Sequence, residues 1–304
     1  MINLGIIGLS EGNGHPYSWS AIFNGYNKEE MKNCGFPSIP DYLSKQNLPS
    51  VCLTQARVTH IWTQDTCLSW HVAKSCFIDN VVSDPREMLG NIDALLLARD
   101  DSKNHLLYAR PFIDFGLPVY VDKPLALSLY DANKILSFEK YPGQIFTCSA
   151  LRYANEFIQL LNNLCTTKND LLIRGSVPNS WEQYAIHVIE PIISQISGKG
   201  VILNSSVLHV GVFRQLTVIY NSGLTLEISS LGKRLSPIEI EVHEGSSLKK
   251  AIFNDPFSAF KKALEQFILG IQNRSFQIPR QETLEIISLV EMGLTASNIV
   301  TSIE

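Results

Sequence analysis

The hexapeptide Val119-Tyr120-Val121-Asp122-Lys123-Pro124 sets a lysine between an acid and a proline at the end of a short apolar run. Such a run reads as a buried strand, and open α/β sheets bind ligands at the carboxyl ends of their strands. An ammonium placed there can hydrogen-bond a hydroxyl and assist its proton transfer, while proline restricts the backbone beside it. The competing reading is a surface lysine that ends a strand. A second candidate is His187, within Trp181-Glu182-Gln183-Tyr184-Ala185-Ile186-His187-Val188-Ile189-Glu190. If this stretch is helical, Gln183, His187 and Glu190 lie on one face. Alone, an imidazole here reads first as a hydrogen-bonded core residue.

The elements that would position these groups alternate through the first half. Ile2 to Ile7, Val58 to Trp62, Asp93 to Ala98 and Pro118 to Val121 read as strands with helical stretches between them. That alternation predicts a doubly wound, Rossmann-type parallel sheet. Ser102 to Asn104 opens a helix that Gly116 stops, and Ser128 caps another running to about Phe138. Later come helices near Asn155 to Leu164 and Gln183 to Ile196, β-rich segments from Val201 to Val242, and closing helices over Phe257 to Gln272 and Gln281 to Ser297. The expectation is an α/β chain with a dinucleotide-binding domain over 1–124. An α+β domain with an open, predominantly antiparallel sheet follows over 125–304, its closing helices able to pack back on the first.

Composition narrows the partners. The 304 residues are 45% hydrophobic, enough for sizeable cores, and the formal charge of −4 comes without a Lys/Arg tract. This gives no electrostatic footprint for nucleic acid or an anionic membrane. The start lacks a basic leader and no segment approaches a membrane span, so a cytoplasmic protein is expected. Cys34, Cys52, Cys67, Cys76, Cys148 and Cys165 are spread without a Cys-x-x-Cys pair and are expected to be reduced. The seven histidines show no ligand spacing with acids or cysteines, and no metal is expected.

The first strand runs into Gly8-Leu9-Ser10-Glu11-Gly12-Asn13-Gly14-His15-Pro16. A dinucleotide fold places its phosphate loop here, with glycines admitting a pyrophosphate to the backbone and a helix N-terminus behind them. Ser10 and Asn13 stand at the second and third glycine positions of the usual motif, and an ordinary glycine-rich turn is the alternative. Nearly fifty residues then separate Gly8 from Val58, where about 30 is usual. This insertion carries His15, Tyr17, Ser18 and Trp19 and is expected either to shape a substrate pocket or to pack as a surface elaboration. The second strand ends with Thr63 where an acid would receive the ribose of NAD. No arginine follows to bind a ribose phosphate, so NAD is slightly favoured over NADP.

These ordered pieces resemble the Gfo/Idh/MocA family of nicotinamide-dependent oxidoreductases over nearly the whole chain. Ile92 to Ala98, His105, and Gly116 to Ala126 look like the family's strand, helix and Glu-Lys-Pro segment, with Asp122 replacing the glutamate. Arg99-Asp100-Asp101 stands at the family's Thr-Pro-Asn. The resemblance implies a cofactor site of Gly8, Ser10, Gly12, Asn13, Thr63, Ala98, Arg99, His105, Asp122 and Lys123. It also places His187 at the family's catalytic histidine, with Gln183 where an aspartate is common. Glutamine can orient an imidazole but supplies no negative charge. Lys123 and His187 are then the catalytic pair. His15, Tyr17, Arg152, Gln183, Tyr184 and His187 are the substrate-side residues, Arg152 having an interdomain salt bridge as its competing role.

The implied activity is NAD(P)-dependent hydride transfer at a ring hydroxyl of a sugar, cyclitol or nucleotide sugar, with surface-glycan metabolism as its setting. A hydrolase or lyase using bound nicotinamide transiently, and a non-catalytic sensor retaining the fold, are the alternatives. The open sheet leaves a face for another subunit, which predicts a homodimer or homotetramer.

Overall fold

The computed structural model describes residues 1–162, 164 and 171–295. Its first half contains β1 (Ile2–Ile7), α1 (His15–Asn24), α2 (Lys28–Met31), α3 (Ser38–Ser44), β2 (Ala56–Trp62), α4 (Thr66–Cys76), β3 (Asn80–Val81), β4 (Ala94–Leu97), α5 (His105–Phe115), β5 (Val119–Val121), α6 (Leu129–Leu136) and β6 (Ile145–Phe146). There follow α7 (Asn155–Leu161), β7 (Leu171–Val177), α8 (Trp181–Tyr184), α9 (Ile186–Gln195), β8 (Ile202–Val210), β9 (Phe213–Tyr220), β10 (Leu224–Ser230), β11 (Glu239–Glu244), β12 (Ser247–Ile252), α10 (Pro256–Asn273) and α11 (Arg280–Leu294).

The chain packs as two units with interleaved segments rather than as consecutive halves. The first comprises Met1–Ala126, Tyr130–Cys148 and Phe260–Arg280; the second comprises Leu127–Leu129, Ser149–Ala259 and the residues from Gln281 onward.

In the first unit a parallel sheet has the order β3-β2-β1-β4-β5-β6. Leu4, Ile6, Leu95, Leu96, Val119 and Val121 are without solvent exposure, as expected of strands covered on both faces. Register aligns Ile7 with Trp62 and Leu97, and Leu97 with Val121. Four strand ends therefore finish in one row, from which Gly8, Thr63, Ala98 and Asp122 emerge together. The change of direction in strand order falls between β1 and β4, where open α/β sheets form their ligand crevice. The insertion after β1 folds as α1, α2 and α3. Tyr120 also packs against Phe146 and Phe267, drawing the later part of α10 into this core.

The second unit holds a mixed sheet of order β12-β11-β7-β10-β9-β8, antiparallel except between β7 and β10. One face is the core, with Ile173, Leu216, Val218, Leu226, Ile228, Ile240 and Val242 against α7, α9 and α11. Two strands here lie outside the β-rich span expected from sequence. Arg174 and Gly175 break the apolar run of β7, and a Cβ at Gly175 would lie 2.8 Å from Val188, so glycine lets α9 settle on the sheet. β12 is a lysine-bearing, exposed edge strand without apolar alternation. The other face carries the ion pairs Arg174–Glu227 at 2.7 Å and Lys250–Glu239 at 2.7 Å. Towards the β8 edge it exposes Leu208 and Val210; Leu203, at the β8 bulge, and Val212, in the turn to β9, are also exposed.

The helix expected to reach Leu164 ends at Leu161, where Asn162 turns extended. The closing helix reaches Leu294; Ser297 and Cys165 lie outside the described residues. The five described cysteines are free thiols. No described helix is long and apolar enough to cross a membrane.

Gly293 on α11 faces Trp181, whose indole N–H donates to Val290 O at 2.9 Å. A Cβ at Gly293 would stand 2.0 Å from Trp181 Cζ2. Helix propensity alone favours alanine there by about 1 kcal/mol, but overpacking a fixed ring costs about 1–3 kcal/mol. Gly293→Ala is expected to lower the urea midpoint; an unchanged or higher midpoint would show that the ring yields.

Candidate functional site

The residues singled out from sequence fall into two groups, one in each unit. In the first, Asp122 leaves β5 with 1% exposure. One carboxylate oxygen receives His15 Nδ1 at 2.6 Å and Asn13 Nδ2 at 2.8 Å, and the other receives the Lys123 amide at 2.8 Å. Burial by itself would raise this carboxyl, but the charges and donors of His15, Lys123 and Asn13 overcome it and hold the group at about 2. His15 is kept in place by stacking on Trp19 at 4.9 Å, and Trp19 stacks in turn on Tyr120 at 4.7 Å. The end of β5 is thus bound to the turn after β1.

Lys123 is 5% exposed, and its Nζ lies 3.6 Å from Asp100 Oδ2. Asp100 Oδ1 receives the Ser10 hydroxyl at 2.5 Å, and Ser10 Oγ accepts from the Asp100 amide at 3.1 Å. A buried ammonium requires such compensation.

Arg99 makes a two-pronged bond to Asp101 at 2.8 and 2.6 Å and donates to Leu9 O at 3.1 Å and Gln64 Oε1 at 3.0 Å. Gln64 grips the Leu9 backbone on both sides, accepting from its amide at 3.1 Å and donating to its carbonyl at 2.6 Å. Burial opposes ionisation of Asp101, yet Arg99 and Asn104 hold its carboxyl below the usual range.

His105, wholly buried, places its ring nitrogens 3.0 Å from Leu125 O and 2.7 Å from Arg99 O, tying the turns after β4 and β5. Thr63 is committed inside the turn after β2, its hydroxyl donating to Asp65 O at 2.6 Å and pairing with Ser69 at 2.9 Å. Asp65 caps α4. Ala98 is buried, its amide donating to Ile7 O at 2.8 Å. Tyr17 is buried with its hydroxyl 2.6 Å from His71 Nδ1, and burial pushes its pKa up.

A dinucleotide needs a turn whose backbone admits the pyrophosphate and a helix start that favours negative charge. α1 begins without an acid in its first turn, but its leading amides are engaged: His15 N–H donates to Asn13 Oδ1 at 2.8 Å, Pro16 has no N–H, and Tyr17 N–H donates to Gly14 O at 3.0 Å. Gly12 has φ +79° and open space where a Cβ would stand, while the Ser10 side chain is turned to Asp100. Gly8 is required for a different reason: its Cβ would lie 2.3 Å from Pro16 Cγ at the start of α1. The Leu9 amide is already occupied by Gln64, so the donors left to an anion come from the turn beyond it. On these observations the loop fits the group.

In the second unit, His187 on α9 is half-buried, with Nδ1 2.8 Å from Ser149 Oγ and its ring edge-on to Tyr184 at 5.4 Å. Gln183 stands on α8, on the other side of Ala185. Arg152 donates to Glu190 Oε1 at 2.8 Å and to Glu282 Oε1 at 2.6 Å, both partners within its own unit. Glu190 also accepts the Ser149 amide at 2.7 Å. Desolvation raises the Glu190 carboxyl to about 7; Arg152 and the Ser149 amide oppose this and Glu282 adds to it.

Sequence reasoning passed over Ser149, Gln64 and the pairing roles of Asp100 and Glu282. Asp100 lay beside a segment already in view, but Ser149 and Glu282 carried no local motif. Residues 2–149 match the model of an oxidoreductase family with an NAD-binding Rossmann fold, the Gfo/Idh/MocA family. This segment belongs to that family. No curated protein matches the sequence of the chain.

Among solved structures, a myo-inositol 2-dehydrogenase from Lactobacillus plantarum superposes with a TM-score of 0.73 at 11% identity, over 98% of this chain and 97% of that one. The UDP-N-acetylglucosamine 3-dehydrogenase GnnA from Acidithiobacillus ferrooxidans gives 0.68 at 10% identity, covering 96% of both chains. GenD2 from gentamicin A biosynthesis, in complex with NAD, gives 0.70 at 12% identity over 96% of this chain and 93% of its own. These likenesses are of fold.

Glu190 supplies a stability test. A carboxyl raised in the folded state stabilises fully below its unfolded value, and that contribution is lost as pH rises through the folded value. Between about pH 4.5 and 7 the wild type should therefore lose stability relative to Glu190→Gln, by on the order of 3 kcal/mol. Urea unfolding of both proteins across this range measures the difference; parallel curves would show that Glu190 stays ionised.

Proposed function

We propose that the protein is an NAD(P)-dependent dehydrogenase or reductase acting on a ring CH–OH of a small carbohydrate: a sugar, cyclitol or nucleotide sugar. The observation that carries this reading is Lys123, buried between Asp100 and Asp122 at the carboxyl edge of the sheet in a segment of an NAD-binding oxidoreductase family. The inositol and UDP-sugar dehydrogenases that share the fold support the substrate class. Surface-glycan metabolism is the setting we favour.

The backbone of the turn around Gly12 would hold the cofactor's phosphates, with the Ser10 side chain and Arg99 fixing the loop, and a bound nicotinamide would supply the hydride chemistry. NAD is preferred to NADP because Arg99, a cation beside the loop, is spent on Asp101, Gln64 and Leu9. Lys123 would exchange the proton of the reacting hydroxyl at Nζ, its charge balanced by Asp100. His187 would meet the substrate through its ring, with Tyr184 and Arg152 forming its surroundings. Acid–base assistance of this kind contributes about a hundredfold to ten-thousandfold.

The exposed apolar β8 edge beside charged pairs supports association through the second sheet as a homodimer or homotetramer. We favour a cytoplasmic location, a reading supported by the five described cysteines, which form no disulfide.

Native mass spectrometry with NAD(H) and NADP(H), followed by a screen of cyclitols and UDP-sugars for hydride transfer, tests the activity. Lys123→Ala should retain dinucleotide binding and lose at least a hundredfold in turnover; full turnover in this variant, or failure of the folded wild type to bind either dinucleotide, would exclude the reading. Light scattering at micromolar concentration should show a dimer or tetramer, and a monomer would remove the assembly.

A further inference from the structure

Ser149 is wholly buried, and each of its polar groups has a defined task. Its amide donates to Glu190 Oε2 at 2.7 Å, and its hydroxyl oxygen accepts the Leu151 amide at 3.3 Å. Glu190 is gripped by Arg152 at 2.8 Å, which fixes the backbone at Ser149. The hydroxyl hydrogen of a buried serine must also find an acceptor. The group that faces it is His187 Nδ1, at 2.8 Å. Were Nδ1 to carry the proton, it would donate to Ser149 Oγ, and the serine hydrogen would be left in the interior without an acceptor. Donation from serine to Nδ1 satisfies both groups, and a neutral ring then bears its proton on Nε2.

We propose that Ser149 is a positioning residue that fixes His187 as its Nε2–H tautomer, so that the ring meets a substrate oxygen as a hydrogen-bond donor and not as a proton acceptor. A carboxylate against Nδ1 has the opposite effect, holding the proton there and leaving Nε2 basic. With a hydroxyl in that place, His187 selects an oxygen offering lone pairs, a carbonyl or a ring ether. Proton exchange then belongs to Lys123. This division of labour rests on the dehydrogenase reading above, but the tautomer is a property of the protein alone.

The test uses full-length protein with 15N-labelled histidine, no added nucleotide, and long-range 1H–15N correlation well above neutral pH, with His187→Gln identifying the signals. The wild type should show a pyridine-like Nδ1 and a pyrrole-like Nε2. Ser149→Ala should lose this signature for a mixture of tautomers, Ser149→Thr should keep it, and Gln183→Ala should leave it unchanged. A pyrrole-like Nδ1 in the wild type, or an unaltered spectrum in Ser149→Ala, would overturn the proposal. If Ser149→Ala does not fold, the wild-type spectrum decides the tautomer by itself. Failure to bind a dinucleotide would defeat the dehydrogenase reading without changing this spectrum.

Discussion

A carboxylate withdrawn from water must be surrounded by donors and positive charge, and Asp122 sets that requirement at the end of β5. Its answer comes from the turn after β1, through Asn13 and His15, and from the amide of Lys123. One buried group therefore fixes the separation of two strand ends, the entry into α1 and the backbone that presents the lysine. The Trp19 and Tyr120 rings behind His15 prevent it from swinging away. Asp100 repeats the arrangement with Ser10 and Lys123, so the turns after β1, β4 and β5 are coupled through carboxylates.

The second unit solves a related problem with different groups. Arg152 lies between Glu190 and Glu282, a cation shared by two acids in a nearly dry interior. The shared charge only partly offsets the desolvation of Glu190, and the remainder appears as its raised pKa. What the arrangement secures is geometry: the Glu190 carboxylate anchors Ser149, and Ser149 addresses the ring of His187.

The sheet of the first unit was legible because its strands are continuous apolar runs separated by turn residues. β1 was read to its limits, and β5 to within one residue. Lys123 stood out by its place at the end of an apolar run, and His187 through the resemblance to the family's helix signature. β7 and β12 escaped because Arg174, Gly175 and the lysines of β12 reflect an outward face and a close helix contact, which only the tertiary arrangement explains. The partners also escaped. Ser149 and His187 are 38 positions apart, and Arg152 and Glu282 are 130, so no local period could reveal either pair. At Thr63 the sequence position suggested a ligand contact, while the structure shows the hydroxyl engaged in the turn that starts α4.

Tyr120 and Phe146 rest on Phe267, and Arg280 donates to Leu136 O, yet Phe267 and Arg280 lie far beyond the 2–149 family segment. The wall that the later part of α10 supplies to this core is encoded only after the whole second sheet. A fragment cut at the end of the family segment would lack one wall of its own interior.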